Sequence, residues 1–214
     1  MELNPHDLIR IKDCADFISS VQMPEWARRS LIQAPYTVVR RAAIVRGSIP
    51  IGIRGQHRHE RFATFLSDRM IAEVISPEQL VRQKKWKQTP RYDQLTILKV
   101  LDDLDQLFQL YHFVWGPVGS VGFELASGVP TVKDMSDLDI ILRLIDFPAL
   151  ETVKQLVMQL IRIPVRVDVQ LELPIGSISL LEYLSEGDRI LLKSIHGPKL
   201  IAHPCNALSG GFLT

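Results

Sequence analysis

The chain has 214 residues, 46% of them hydrophobic and 23% charged, a balance that suits one large or two small globular units with a real core. No apolar run approaches the ~20 residues a bilayer-spanning helix needs, and the polar start MELNPHDLIRIKD does not read as a secretory leader. Two cysteines, Cys14 and Cys205, far apart and outside any CxxC, argue against a disulfide framework or a zinc cluster, and together these features point to a cytoplasmic protein without a membrane partner. The net charge of +1 conceals an asymmetry: residues 1–92 hold 16 Lys and Arg against 9 Asp and Glu, residues 93–214 hold 9 against 15. A basic half beside an acidic half suggests that one half holds an anion and the other cations.

Along the chain, Leu8–Ile11 reads as a short strand. Glu25–Gln33 reads as a helix begun by Pro24 and ended before Pro35. YTVVRRAAIV and IPIGIRG, broken by RGS, predict a hairpin. ERFATFLSDRMIAEVI places Phe62, Phe65, Leu66, Met70 and Val74 at helical spacing and predicts a helix. Ser76 then caps a short helix opened by Pro77. Arg82 to Gln94 is polar, basic and broken by Pro90, which marks a linker.

Beyond it, Leu95, Leu98, Leu101, Leu104, Phe108 and Tyr111 form one apolar stripe of a helix, with Asp102, Asp103 and Asp105 on its solvated face. HFVWGPV predicts a strand, Val121–Ala126 a helix, DLDIILRL a strand and PALETVKQLVMQLI a helix. IPVRVDVQLEL alternates strictly, Val165, Val167, Val169 and Leu171 against Arg166, Asp168, Gln170 and Glu172, as a half-buried strand does. A small helix near Leu180–Leu184, a strand near Arg189–Lys193 and a polar tail follow. The expectation is an α+β chain: a small basic N-terminal α+β domain over 1–82, a linker over 83–94 and an α/β domain with a mixed sheet over 95–214.

Three features carry chemistry. Asp137 and Asp139 stand at i and i+2 on a strand, so both carboxylates project from one face, about 7 Å apart along the backbone. Side by side they repel, and a divalent cation relieves the repulsion. Magnesium favours oxygen ligands of this kind together with substrate phosphates. Asp168, on the polar face of a strand one helical crossover later, reaches the same cluster if the two strands are neighbours. Gly119-Ser120 before a helix allows close approach of a phosphate to backbone amides and a hydroxyl. In the basic half Arg40, Arg41, Arg54 and Arg58 gather around the expected hairpin and suit phosphates, although Arg40 and Arg41 point opposite ways on a strand. His57 and His59 lack a third metal ligand nearby, and His112 is expected to be packed. Trp26, Trp86 and Trp115 form no stacking platform with the basic residues, which does not favour nucleic acid.

A Gly-Ser turn, an Asp-x-Asp strand and a later strand aspartate resemble the nucleotidyltransferase superfamily. The wider segments PYTVVRRA, IPIGIRG, GPVGSVGFELASGVP, SDLDIIL and VDVQLE are similar to the malonate decarboxylase holo-acyl-carrier-protein synthases, which are phosphoribosyl-dephospho-CoA transferases. The resemblance implies a nucleotidyltransferase-like second domain. It implies transfer of phosphoribosyl-dephospho-CoA from 2′-(5″-triphosphoribosyl)-3′-dephospho-CoA to a serine of the apo acyl-carrier subunit, with release of diphosphate. It also implies Mg2+ held by Asp137, Asp139 and Asp168, a triphosphate cradled by Gly119 and Ser120, and Asp168 as the residue to orient or deprotonate the serine. Two alternatives stand beside it. One is a citrate lyase-type holo-carrier synthase or a small-molecule nucleotidyltransferase. The other is a non-catalytic binding module of the same fold, against which the presence of all three carboxylates argues.

Overall fold

Twelve strands and six helices arrange themselves around two sheets in the computed structural model, which describes residues 3–12, 17–18, 22–43, 47–57 and 59–204. Cys14, Arg58 and Cys205 lie outside the described residues, so the expectations placed on them are not carried further. No helix among the described residues is long and apolar enough to cross a membrane. The α+β class expected from the sequence is the class observed.

The first sheet is built from β1 (Leu8–Ile11), β2 (Phe17–Ile18), β3 (Tyr36–Val39), β4 (Ser48–Arg54), β5 (Arg61–Ser67) and β6 (Ile71–Ile75), with α1 (Glu25–Gln33) between β2 and β3. Its order is β2-β5-β4-β3-β1-β6, antiparallel throughout. The expected hairpin is present, with Val38 opposite Gly52. The helix expected over residues 60–75 is not: that segment is β5, a 3-10 turn over Asp68–Met70, and β6. The spacing of Phe62, Phe65 and Leu66 fits a helix, but Phe62, Thr64 and Leu66 also alternate. Pairing settles the choice. β5 closes the open side of β4 over seven residues, from Ser48 opposite Ser67 to Arg54 opposite Arg61, and a helix there would leave that row of backbone groups unpaired. One face of the sheet buries Ile9, Ile11, Ile49, Ile51, Ile53 and Leu66 against Ala27 and Leu31 of α1. The opposite face carries Leu8, Tyr36, Val38, Gly52 and Arg54.

After α2 (Pro77–Arg82), whose Ser76 cap accepts the Gln79 N–H at 3.1 Å, come α3 (Thr96–Leu110), β7 (Val114–Pro117), α4 (Gly119–Ser127), β8 (Leu138–Arg143), α5 (Leu150–Leu160), β9 (Val167–Leu173), β10 (Gly176–Ser179), α6 (Leu180–Tyr183), β11 (Arg189–Ser194) and β12 (Gly197–Ala202). The second sheet runs β12-β11-β10-β9-β8-β7. It is mixed: β8 and β9 are parallel, joined by the α5 crossover, and the other pairs are antiparallel. β10 escapes the sequence reading because it is only four residues long, and β12 because it opens on Gly197, Pro198 and Lys199; β12 exists as the hairpin partner of β11, Arg189 opposite Ala202 through Ser194 opposite Gly197. Leu138, Ile140, Leu142, Val169 and Leu171 face a core shared with Leu101, Leu104 and Phe108 of α3 and Val153 and Leu156 of α5.

Residues 83–94, read as a linker, fold onto this core. Trp86 is fully buried beside Trp115, their ring centroids 6.2 Å apart, and its indole N–H donates to Asp102 at 3.1 Å. Tyr92 and Lys87 bond the same carboxylate. Burial works to raise the Asp102 pKa, but the hydrogen bonds from Tyr92, Lys87 and Trp86 outweigh it and hold the carboxyl below its ordinary value. Asp105 is buried as well, 3.5 Å from Lys84. The α3 aspartates expected to be a solvated face therefore include two that dock the basic 84–92 segment. Composition cannot distinguish a solvated acidic face from one covered by cations brought back through a turn.

The two halves meet through charge. Gly116 lets Pro77 of α2 sit against β7, where any Cβ would overlap the Pro77 backbone. Arg143 of β8 donates to Glu78 at 2.7 Å and to the Pro5 carbonyl at 3.0 Å, and lies 3.7 Å from Asp7. Glu172, 4% exposed, meets His6 at 3.2 Å and is bonded by Arg41. Burial opposes its ionisation, yet the His6 hydrogen bond and the charges of His6 and Arg41 prevail, so its pKa is lowered.

Asp7 has the opposite balance. One carboxylate oxygen accepts the Asn4 N–H, but the other is buried without a hydrogen bond, and burial pushes the pKa up to about 6. A carboxyl whose folded pKa exceeds its unfolded value adds stability at low pH and loses it as pH rises toward 6. Asp7→Asn is therefore expected to raise stability at pH 8 by up to about 3 kcal/mol and to change nothing near pH 4. Urea titrations at the two pH values check this; equal effects at both would show that the charge of Asp7 is not the cause.

Candidate active site

The parallel pairing of β8 and β9 decides where the acidic residues stand. Asp139 is the register partner of Asp168, Ile141 of Gln170 and Arg143 of Glu172. Partners on adjacent strands share a face, so the Asp139 and Asp168 carboxylates project together from the face opposite the core. Asp137, one residue before β8, has a half-exposed side chain and a loose 4.0 Å contact with the exposed Arg166, a pairing of little energetic weight. Burial, the charge of Asp168 and, further down, that of Asp137 raise the Asp139 pKa; Arg54 and His6 act in the opposite sense.

Gly119 stands directly over Asp139. The turn from β7 into α4 brings the Val118 N–H to the Asp139 carbonyl at 2.9 Å. Gly119 takes φ +62°, in the left-handed region, and a Cβ there would fall on the Asp139 carboxylate. The helix starts at Gly119 itself, two residues earlier than the sequence suggests, so Gly119 and Ser120 occupy its first turn. Thr131 Oγ1 donates to the Ser120 carbonyl at 2.9 Å. Glu124 of α4, buried, accepts two bonds from Arg91 at 2.8 Å and the N–H groups of Thr131 and Val132 at 2.7 and 2.8 Å. Arg91 and Glu124 thus fix the loop that delivers Asp137. An acid inside the apolar run GSVGFELAS is the signal that could have singled Glu124 out.

A cleft separates this corner from the first sheet. Pro117, Gly119 and Phe123 line it from the second sheet's side and Tyr36, Gly52 and Arg54 from the first sheet's, and His6 lines it as well. The basic and acidic halves of the sequence therefore face each other. Arg54 ends β4 on the cleft face, opposite Arg61 of β5, and is close enough to Asp139 to bear on its charge. Arg40 is exposed, its Cδ 3.3 Å from where a Gly52 Cβ would stand. Arg41 turns away and bonds Glu172.

Among the described residues, no three His, Cys, Asp or Glu side chains are arranged to hold a metal ion. The carboxylates best suited by donor chemistry are Asp139 and Asp168 as register neighbours, with Asp137 beside them. His57 and His59 stack on each other, ring centroids 5.6 Å apart, at the surface. His112 is exposed at φ +55°, not packed as expected, because the chain turns there between α3 and β7. The sequence reading missed His6 and the burial of Glu172. Strict alternation placed Glu172 on the polar face of β9 correctly, but nothing local told that the first sheet covers that face.

Residues 83–204 match the family described as phosphoribosyl-dephospho-CoA transferase MdcG C-terminal domain. The chain is similar to the phosphoribosyl-dephospho-CoA transferase of Pseudomonas fluorescens (strain Pf0-1), 38% identical over 184 residues that cover 86% of each chain. It is similar to the enzyme of the same description from Pseudomonas putida, 34% identical over 202 residues and 94% of each chain. The one from Klebsiella pneumoniae (strain 342) is 30% identical over 200 residues, 94% of this chain and 95% of that one. No solved structure matches.

Proposed function

The chain belongs to the phosphoribosyl-dephospho-CoA transferase MdcG family, and from that premise we propose that it transfers phosphoribosyl-dephospho-CoA from 2′-(5″-triphosphoribosyl)-3′-dephospho-CoA to a serine of the apo acyl-carrier subunit of a malonate decarboxylase. The chain is a transferase; the donor triphosphate, the carrier and the release of diphosphate are the proposed part. The observation that carries the reading is the corner itself: paired carboxylates from two parallel strands, a glycine turn lying on one of them, and Arg54 across a cleft.

In this reading the first-turn amides of Gly119 and Ser120 hold the triphosphate. Arg54 meets the phosphates from the opposite wall, and Arg40 is proposed to extend that basic surface. Arg41, engaged with Glu172, reaches the phosphates only indirectly by holding the first sheet in place. The serine oxygen bonds to the α-phosphorus, the bond from that phosphorus to the diphosphate oxygen breaks, and diphosphate departs with the electron pair. The serine proton passes to a base. Asp139 and Asp168, with Asp137, are proposed to hold magnesium. The donor set fits it in chemistry, being oxygen only, and in charge, since the acidic neighbours and burial that raise the Asp139 pKa make a cation welcome. Bound there, magnesium would supply neutralisation of the phosphate charge.

The test is incubation of an apo carrier subunit with the donor, magnesium and this protein, followed by mass spectrometry. The expected result is one added phosphoribosyl-dephospho-CoA on the carrier serine and one diphosphate released per carrier. An unmodified malonate decarboxylase carrier beside a modified citrate lyase carrier would move the acceptor; no modification of either would remove the reading.

A further inference from the structure

We propose that His6, held by Glu172, is the base that takes the proton of the acceptor hydroxyl, a role the resemblance alone gives to Asp168; the inference rests on the transfer reaction proposed above. Four observations place it. His6 lines the cleft together with Gly119 and Arg54. It is close enough to Asp139 to act on its charge. Its Nε2 lies 3.2 Å from the Glu172 carboxylate, which is buried and held ionised, while the imidazole itself keeps 27% of its surface. Its backbone sits at φ +76°, a region a histidine enters at a cost, and is pinned there by its N–H donating to the Val39 carbonyl at 3.0 Å. A strained, anchored residue with one ring nitrogen fixed by a buried carboxylate is the arrangement that pre-orients an imidazole.

The chemistry follows from the tautomer. With Nε2–H donated to Glu172, the lone pair is on Nδ1, and the carboxylate stabilises the imidazolium formed when Nδ1 takes a proton. Charged groups of both signs surround the pair: Arg41 and Arg143 stand beside Glu172, and His6 is close enough to Asp7 and Asp139 to act on their charge. In the step, Nδ1 receives the serine proton as the serine oxygen bonds phosphorus and the diphosphate oxygen leaves with its electron pair; the proton then passes to solvent. This frees Asp168 to remain a charged partner of Asp139.

The experiment compares His6→Gly with the wild type. Glycine accepts the positive φ and leaves a hole the size of the ring. The expected result is a fall in the rate of carrier modification of about 10²-fold or more, unchanged donor binding by calorimetry, and partial recovery on adding imidazole, with more basic substituted imidazoles restoring more. Glu172→Gln should show a smaller fall in the same direction. Three outcomes each overturn the inference: His6→Gly transferring within threefold of wild type, no recovery with any imidazole in a folded variant, or donor binding lost in parallel with transfer. If the wild type itself leaves the carrier unmodified, it is the transfer reading that falls, and calorimetry on the donor separates that case.

Discussion

Asp139→Asn is expected to abolish transfer and to leave the fold as stable as before, or more so. The carboxylate stands against Asp168 on the neighbouring strand, with burial and both aspartate neighbours raising its pKa. A carboxyl of that kind adds stability only while protonated. Its contribution is present below the unfolded pKa and is lost as pH rises through the folded one. The amide keeps the shape and removes the charge, so the melting temperature at pH 8 should rise or hold, and the gain should fade toward pH 4. In the proposed reaction the same charge holds the cation, and its loss should reduce modification of the carrier by about 10³-fold. The two readouts, melting and carrier mass, must part company. An Asn variant that still modifies the carrier within tenfold of wild type would show that Asp139 does not take part, and one that melts well below wild type would show that its charge supports the fold instead.

Gly119→Ala should damage both quantities. Ala at φ +62° bears left-handed strain of roughly 1–2 kcal/mol, and its methyl would displace the Asp139 carboxylate. Gly128, which ends α4 at φ +74° with nothing within 4 Å of its Cβ position, supplies the control: Gly128→Ala should lose similar stability and leave transfer intact. Gly119→Ala should lose about 10²-fold in transfer as well, because the group it moves is one whose position the proposed reaction needs. The pair Gly119→Ala with Asp139→Ala should melt higher than the sum of the single losses allows, since the shorter side chain removes the clash. Additive losses in the double variant, or full activity in Gly119→Ala, would show that the turn and the carboxylate are independent.

Local signals were legible wherever a single element carried them. The apolar stripe of α3, the Ser76 cap and the alternation of β9 are properties of short windows, and the structure contains each of them; the helix after the Gly-Ser pair is present too, but it takes Gly119 and Ser120 into its first turn. The segment over 60–75 shows the limit. Its aromatic spacing satisfies two periods at once, and β4 on its flank selects the strand. Asp102 and Asp105 show it again, because a helix face is solvated only if nothing folds back on it.

By itself the sequence determined the acidic residues that could meet, the strand face of Asp139 and Asp168 and the glycine that lets the backbone come close to a ligand. These follow from the two-residue period of a strand and from side-chain volume. Only the tertiary structure decided that β8 and β9 lie parallel in the register that sets Asp139 beside Asp168, and that His6 and Arg41 reach Glu172 across 166 and 131 positions of chain. Strand order and long-range ion pairing depend on how whole sheets bury their faces, a balance summed over the molecule that no local window contains.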